Sequence, residues 1–192
     1  MSKRTFAILA AATALLVAAP GASAKHIAGA AALKKAAPVV CRDATLEPGR
    51  NRLRRMRAAT ICLINHERAI RGLRKLVRSD HLTAVASAHS VDMVKKKYFG
   101  HNAGRNPVAG LSSLASEPLA QAAWRSGENI AWGTRWRGSP KTIVSLWMGS
   151  PGHRANLLNP GFREIGVGIA FGNPFEDIAG GATYTANFYS KF

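Results

Sequence analysis

Residues 147–171 read "WMGSPGHRANLLNPGFREIGVGIAF", and the change of rhythm inside this stretch decides the class of fold. Ser150 and Pro151 form a helix-start pair, because serine suits an N-cap and proline suits the first helical position, where a backbone N–H is not needed. They open a short helix, "PGHRANLL", with His153 in its first turn. After Pro160 the period shortens to two: in "REIGVGIAFG" branched apolar residues alternate with small ones, which is a strand pattern. A second run of this kind, "GGATYTANFYSKF", follows the turn-prone "NPFEDIAGG". Two strands alone are marginal, so a third is expected near "NIAWG" together with helical cover.

Upstream, the pattern is helical. Ser139 and Pro140 repeat the start signal for a helix through Ile143, Val144 and Trp147. Leu53, Met56, Thr60, Leu63 and Ile70 fall near a three-to-four spacing over 51–71, with Gly72 as a stop and Cys62 beside the apolar stripe. Asp80 is the expected N-cap of a further helix whose apolar face holds Leu82, Val85, Ala86, His89 and Met93, and the lysines at 95–97 suit its C-terminal pole. Residues 100–135 lack a clean period and are expected to be irregular, with a short helix near Leu119 to Arg125. About four helices and a small sheet make an α+β chain without internal repeats.

The first 24 of the 192 residues read as an export signal: Lys3 and Arg4, an apolar run, then "ASA" before an expected mature start at Lys25. That run is too short for a comfortable membrane span and no second one follows, so secretion is expected and no transmembrane segment after signal removal. About 170 residues remain, enough for one domain with a core. Residues 25–50, rich in Ala, Lys and Pro, read as a basic linker ordered at most near Cys41, and the domain is expected over 51–192. Cys41 and Cys62 are the only cysteines, and an even count in an exported chain points to one disulfide over free thiols or a metal pair. With 27 Lys and Arg against 10 Asp and Glu, the formal charge is +17, and it becomes +15 once Lys3 and Arg4 are removed. Such a charge favours wall polymers, lipid head groups or nucleic acid without choosing among them.

Enzyme motifs are absent. "HERAI" has Ile70 where a zinc-protease helix needs a second histidine, and there is no GxSxG elbow, Walker loop, dinucleotide fingerprint or CxxC pair. A looser set remains, His101 in "YFGHN", Glu128 in "SGENIAWG" and His153 in "SPGHR". Two imidazoles and a carboxylate are three protein ligands for a zinc ion with an open water position. The same three groups equally make a hydrogen-bonded cluster that only ties loops to the core.

The segments "CLINHERAIRGL", "HSVDM", "YFGH", "GENIAWG" and "WMGSPGHRANLLNPGFREIGVG", in this order, resemble the bacterial branch of the CAP superfamily, the cysteine-rich secretory, antigen 5 and pathogenesis-related 1 proteins with SCP domains. The resemblance covers roughly residues 53 to 190. It implies an α-β-α sandwich with helices packed on an antiparallel sheet and a large open cleft, lined in many eukaryotic members by two His and two Glu. It places His101 and Glu128 at the first His and first Glu and His153 at the second His. The second Glu falls near Ser150, a neutral hydroxyl expected to cap the helix. Ala186, in "TYTANF", stands where the family commonly has Gln.

His89 is expected to be a satisfied structural histidine, and Asn129 and Asn156 to bond loop backbone. Trp147 is expected in the core, with Trp132 and Trp136 more exposed. The resulting expectation is a secreted CAP-domain protein whose cleft, built around His101, Glu128, His153 and Ser150, binds an extracellular or envelope ligand: a lipid, a wall component or a protein. The alternative is a zinc-dependent hydrolase with the metal on His101 and His153 and Glu128 as ligand or general base. Specific nucleic-acid binding is not expected, since the basic residues are scattered and no groove-reading motif is present.

Overall fold

The computed structural model describes residues 40–101, 124–175 and 180–191. The expected export signal, most of the basic linker and the greater part of the expected helix near 119–125 lie outside them. Contacts divide the chain into the units Met1–Lys35 and Ala36–Phe192, and all described residues belong to the second.

Among the described residues, four α-helices and four strands follow in the order α1 (Leu53–Ala69), β1 (Val77–Arg78), α2 (Asp80–Lys96), β2 (Trp124–Gly133), α3 (Pro140–Gly149), α4 (Pro151–Leu157), β3 (Glu164–Phe171) and β4 (Ala182–Lys191). The sheet order is β1-β3-β4-β2. β4 pairs antiparallel with both neighbours, but the two-residue β1 joins β3 in parallel, so the sheet is mixed and not wholly antiparallel as expected. Trp124 and Arg125, placed by the sequence at the end of a short helix, instead open β2.

The alternation in β3 explains the layering. Ile165, Val167 and Ile169 enter the core with Tyr184, Ala186 and Phe188 of β4, Met56 and Ile64 of α1, and Trp147 of α3. The glycines between them face α2. A Cβ on Gly166 would lie 2.1 Å from the backbone of Leu82, and one on Gly168 2.1 Å from that of Ala86. Only glycine lets the helix backbone close directly on the strand.

Several boundaries differ from the sequence reading. Ser79, not Asp80, caps α2, its hydroxyl accepting from Leu82 N–H. In α1 the buried face runs through Met56, Ala59, Thr60, Ile64 and Arg68, whereas Leu63 is only partly buried and Ile70, just past the helix, is 58% exposed. Residues 41–50 pack on the helical layer: Leu46 touches the core, Ala44 O accepts from Lys141 N at 2.7 Å, and Cys41 is bonded to Cys62. The disulfide expectation is therefore met.

Arg68 is wholly buried. Its guanidinium donates to Arg74 O at 2.9 Å, Leu157 O at 2.8 Å and Asn159 O at 3.0 Å. The last two carbonyls lie at and just beyond the C-terminal end of α4, the negative pole of that helix, so a cation satisfies acceptors that the helix itself leaves unpaired.

Candidate functional site

β2 is an edge strand, and Glu128 lies near its middle, opposite Asn187 of β4. The pleat sends Glu128 to the face covered by α2 and its neighbours Gly127 and Asn129 to the opposite face. On the α2 side the helix ends at Lys97, whose left-handed conformation (φ 56°) turns the chain back. Tyr98 N–H bonds Met93 O at 3.3 Å as this turn closes. The next three residues bring His101 to the strand edge, where its Nδ1 lies 2.8 Å from Glu128 Oε1.

A third group joins them. His89, on α2, places Nε2 3.7 Å from the same Glu128 oxygen. The Tyr98 hydroxyl lies 3.4 Å from His89 Nδ1 and donates to Asp92 Oδ2 at 2.9 Å. With that hydroxyl proton directed at Asp92, the Tyr98 oxygen accepts, so Nδ1 is the donor nitrogen of His89. Its Nε2 is buried without a hydrogen-bond partner among the described residues and faces the carboxylate. His89 is thus a member of the cluster and not the fully satisfied structural residue expected from its place on an apolar stripe. The spacing of His89 and Asp92, one turn apart, with Tyr98 just beyond the helix, is the signal by which the sequence could have shown it.

His153 approaches from the opposite layer, on α4. Its Nδ1 lies 2.9 Å from Ser150 Oγ. Ser150 occupies the N-cap position of α4 in an extended conformation, yet its hydroxyl makes no capping bond. The expected cap is replaced by a Ser150–His153 pair. Burial, and then the electrostatic effect of His101, hold the His153 imidazole below the usual histidine range, so near neutral pH the ring is uncharged and shares one hydrogen bond with the Ser150 hydroxyl.

Two asparagines join the layers. Asn129 Nδ2 donates to His153 O at 2.9 Å, and Asn156 Nδ2 donates to Glu128 O at 3.1 Å and to Asn129 Oδ1 at 2.9 Å. Both bond backbone, as expected. Trp147 Nε1 donates to Ile130 O at 3.0 Å from the core. Asn156 and Trp147 thus cover carbonyls on the edge of β2 that pairs with no further strand among the described residues. Ala186 lies opposite Asn129 and is wholly buried in the core, so the polar residue of β4 facing Glu128 is Asn187. Trp136 is 57% exposed and Trp132 meets Phe175 edge-on, with ring centroids 5.1 Å apart.

The cluster therefore consists of a largely buried carboxylate bonded to the half-exposed His101, flanked by a buried imidazole, with a neutral His–Ser pair on the far side of the strand. It can donate to and accept from a polar ligand group at the strand edge. Among the described residues no three His, Cys, Asp or Glu side chains group closely enough to hold an ion. His101 and His153 use one ring nitrogen each on Glu128 and Ser150.

Helices on both faces of a small mixed sheet, with His and Glu gathered at one strand edge, define an SCP-type domain. Residues 61–188 match the cysteine-rich secretory protein family, and the chain belongs to this family, CAP. It is 36% identical over 129 residues to Bacillus subtilis (strain 168) YkwD, across 67% of this chain and 45% of YkwD. It is 33% identical over 107 residues to the B. subtilis membrane protein YlbC, across 56% of this chain and 29% of that protein. The chain thus spans less than half the length of these curated relatives. Among solved structures, an extracellular SCP-domain protein of Bacillus anthracis str. Ames is similar with a TM-score of 0.52 and 26% identity, over 73% of this chain and 43% of that one. An outer surface protein of Borrelia burgdorferi shares the fold, with a TM-score of 0.54 and 18% identity over 69% of this chain and 90% of that one.

Proposed function

We propose that this CAP-domain protein is exported and that the edge of β2 around Glu128 is a binding site for a polar group of an extracellular or envelope ligand. The observation that carries the reading is the pairing of Glu128 with His101 while the buried Nε2 of His89 faces the same oxygen without a hydrogen bond. A buried polar atom left without a partner is costly, and a ligand that completes its bonding recovers that cost. Export is supported by similarity to the extracellular B. anthracis protein and by the signal-like first 24 residues. No described helix is long and apolar enough to cross a membrane.

The test compares wild type with Glu128→Gln for binding to envelope fractions of lipid, glycan polymer and protein, with zinc content and ester or peptide turnover measured alongside. A binder retains its fold in Glu128→Gln and loses at least about tenfold in affinity, roughly one charge-assisted hydrogen bond. Near-stoichiometric zinc, lost in both His101→Ala and His153→Ala, together with turnover abolished by Glu128→Gln, would replace this reading by the hydrolase.

A further inference from the structure

We infer that the arginine-rich start of α1 is a docking surface for a linear polyphosphate chain. It is separate from the Glu128 site and built from other elements. Arg42, Arg50, Arg52, Arg54 and Arg55 are all exposed, and every basic residue between 40 and 57 is arginine, with no lysine among them. The planar guanidinium fork takes two phosphate oxygens at once, whereas an ammonium acts as a point charge, so phosphate recognition favours this choice.

Their placement opposes the local electrostatics. The first turn of α1 contains no acidic residue, and Arg52 occupies the N-cap position without a side-chain capping bond. The N-terminal pole of a 17-residue helix is positive, so guanidinium groups there are repelled by the helix and by one another. Among the described residues the one ion pair in this stretch joins Arg55 to Asp43, and Arg50 lies over the Phe171 ring, 5.0 Å from its centroid, with no carboxylate paired to it. A polyanion relieves this repulsion.

The surface is also rigid. The Cys41–Cys62 disulfide holds the Arg42 segment against α1, and a groove of about 470 Å³ lies between them, where Arg42, Arg54 and Arg55 outnumber the one carboxylate, Asp43, beside Val40 and Cys62. A backbone already tied in place has less freedom to lose on binding. The helix turns Met56, Ala59 and Ile64 into the core, leaving Val40 as the exposed large hydrophobic of residues 40–57. Insertion into a bilayer requires a broader apolar face, so a soluble polymer is the better-fitting occupant.

The experiment measures binding of the full chain to long-chain inorganic polyphosphate across a salt series, for wild type, Arg50→Gln/Arg52→Gln/Arg54→Gln and a control with equal charge loss, Lys75→Gln/Arg154→Gln/Lys191→Gln, at exposed positions outside this stretch. The patch variant is expected to lose at least about tenfold in affinity and to flatten the slope of log K against log salt by about 2, from lost counterion release. The control is expected to lose less than about threefold, as removing distant charges weakens only the general field. The patch variant is expected to melt no lower than wild type at low salt, which separates lost binding from lost folding. Glu128→Gln is expected to bind polyphosphate as wild type does, so failure of the cleft reading and failure of this one are distinguishable. Equal losses in the two triple variants, or binding to anionic phosphatidylglycerol vesicles without binding to polyphosphate, would overturn the proposal.

Discussion

Asn156 donates its side-chain amide to the backbone carbonyl of Glu128 at 3.1 Å, so the strand that carries the carboxylate is fastened to the helix that carries His153. The same amide reaches Asn129, and Asn129 returns to His153 O. Asn156→Ala leaves buried strand-edge acceptors open and is expected to cost about 1–3 kcal/mol, lowering Tm by several degrees in a thermal melt. Gly127→Ala is expected to act on the same contact, because its Cβ would lie 2.9 Å from Asn156 Oδ1 and from the Phe162 ring. Unchanged melting in both variants would show that the asparagine link contributes nothing.

Arg68→Met keeps much of the volume and removes the donors for Arg74 O, Leu157 O and Asn159 O. Three carbonyls, that of Leu157 buried and those of Arg74 and Asn159 partly so, lose a charged partner, and a loss of about 3 kcal/mol is expected in denaturant unfolding. Arg68→Lys is expected to recover only part of this, since one ammonium lacks the reach of the fork.

The lowered His153 pKa makes stability depend on pH in a defined direction. The folded-state value lies below the ordinary 6.5, so as pH falls the unfolded chain takes up the proton first. The residue leaves stability unchanged well above that value and lowers it progressively as pH drops through 6.5 toward the folded-state pKa. Denaturation midpoints measured across this range are expected to fall less steeply in His153→Gln than in wild type, and parallel curves would contradict the assignment.

Gly166→Ala and Gly168→Ala each force a methyl group into the α2 backbone at 2.1 Å. Overpacking against main chain cannot relax by a rotamer change, and about 3 kcal/mol is expected for each. Circular-dichroism melts of the single variants test this.

Removal of the Cys41–Cys62 bond, which closes a loop with a sequence separation of 21, is expected to lower stability by about 3 kcal/mol in the chain-entropy description. The paired Cys→Ser variant, compared with wild type in urea, measures it.

Much of this fold could be read locally. The Ser-Pro pairs at 139 and 150 set the starts of α3 and α4, and the glycine alternation of 163–172 marked β3, because caps and pleats depend on neighbours in sequence. Phases were less secure. The apolar spacing of α1 included Ile70, which the structure leaves in solvent, and omitted Arg68, which a charge-based reading sends outward. Arg68 is inside because carbonyls from the end of α4 and beyond need a donor there, and nothing within α1 records that need.

The candidate site divides in the same way. His101, Glu128 and His153 stood out because each lies in a dense run of glycine, proline and polar residues. His89 did not, since on its own helix it occupies an apolar stripe, and only the packing of α2 across β2 brings its ring 3.7 Å from Glu128. Ser150 was assigned to the backbone because serine before proline is a cap signal, whereas the folded chain offers its hydroxyl the ring nitrogen of His153.

Residue order alone determined the class of protein, the starts of the last two helices, the disulfide partners and the three residues worth testing, all properties of spacing and side-chain type. Tertiary structure decided which polar groups meet: the third histidine beside Glu128, the asparagine link across the strand edge, the buried arginine at the end of α4 and the parallel joining of β1. Those contacts depend on distances between segments far apart in the chain, set by how closely α2 settles on two glycines of β3, and no local pattern carries that information.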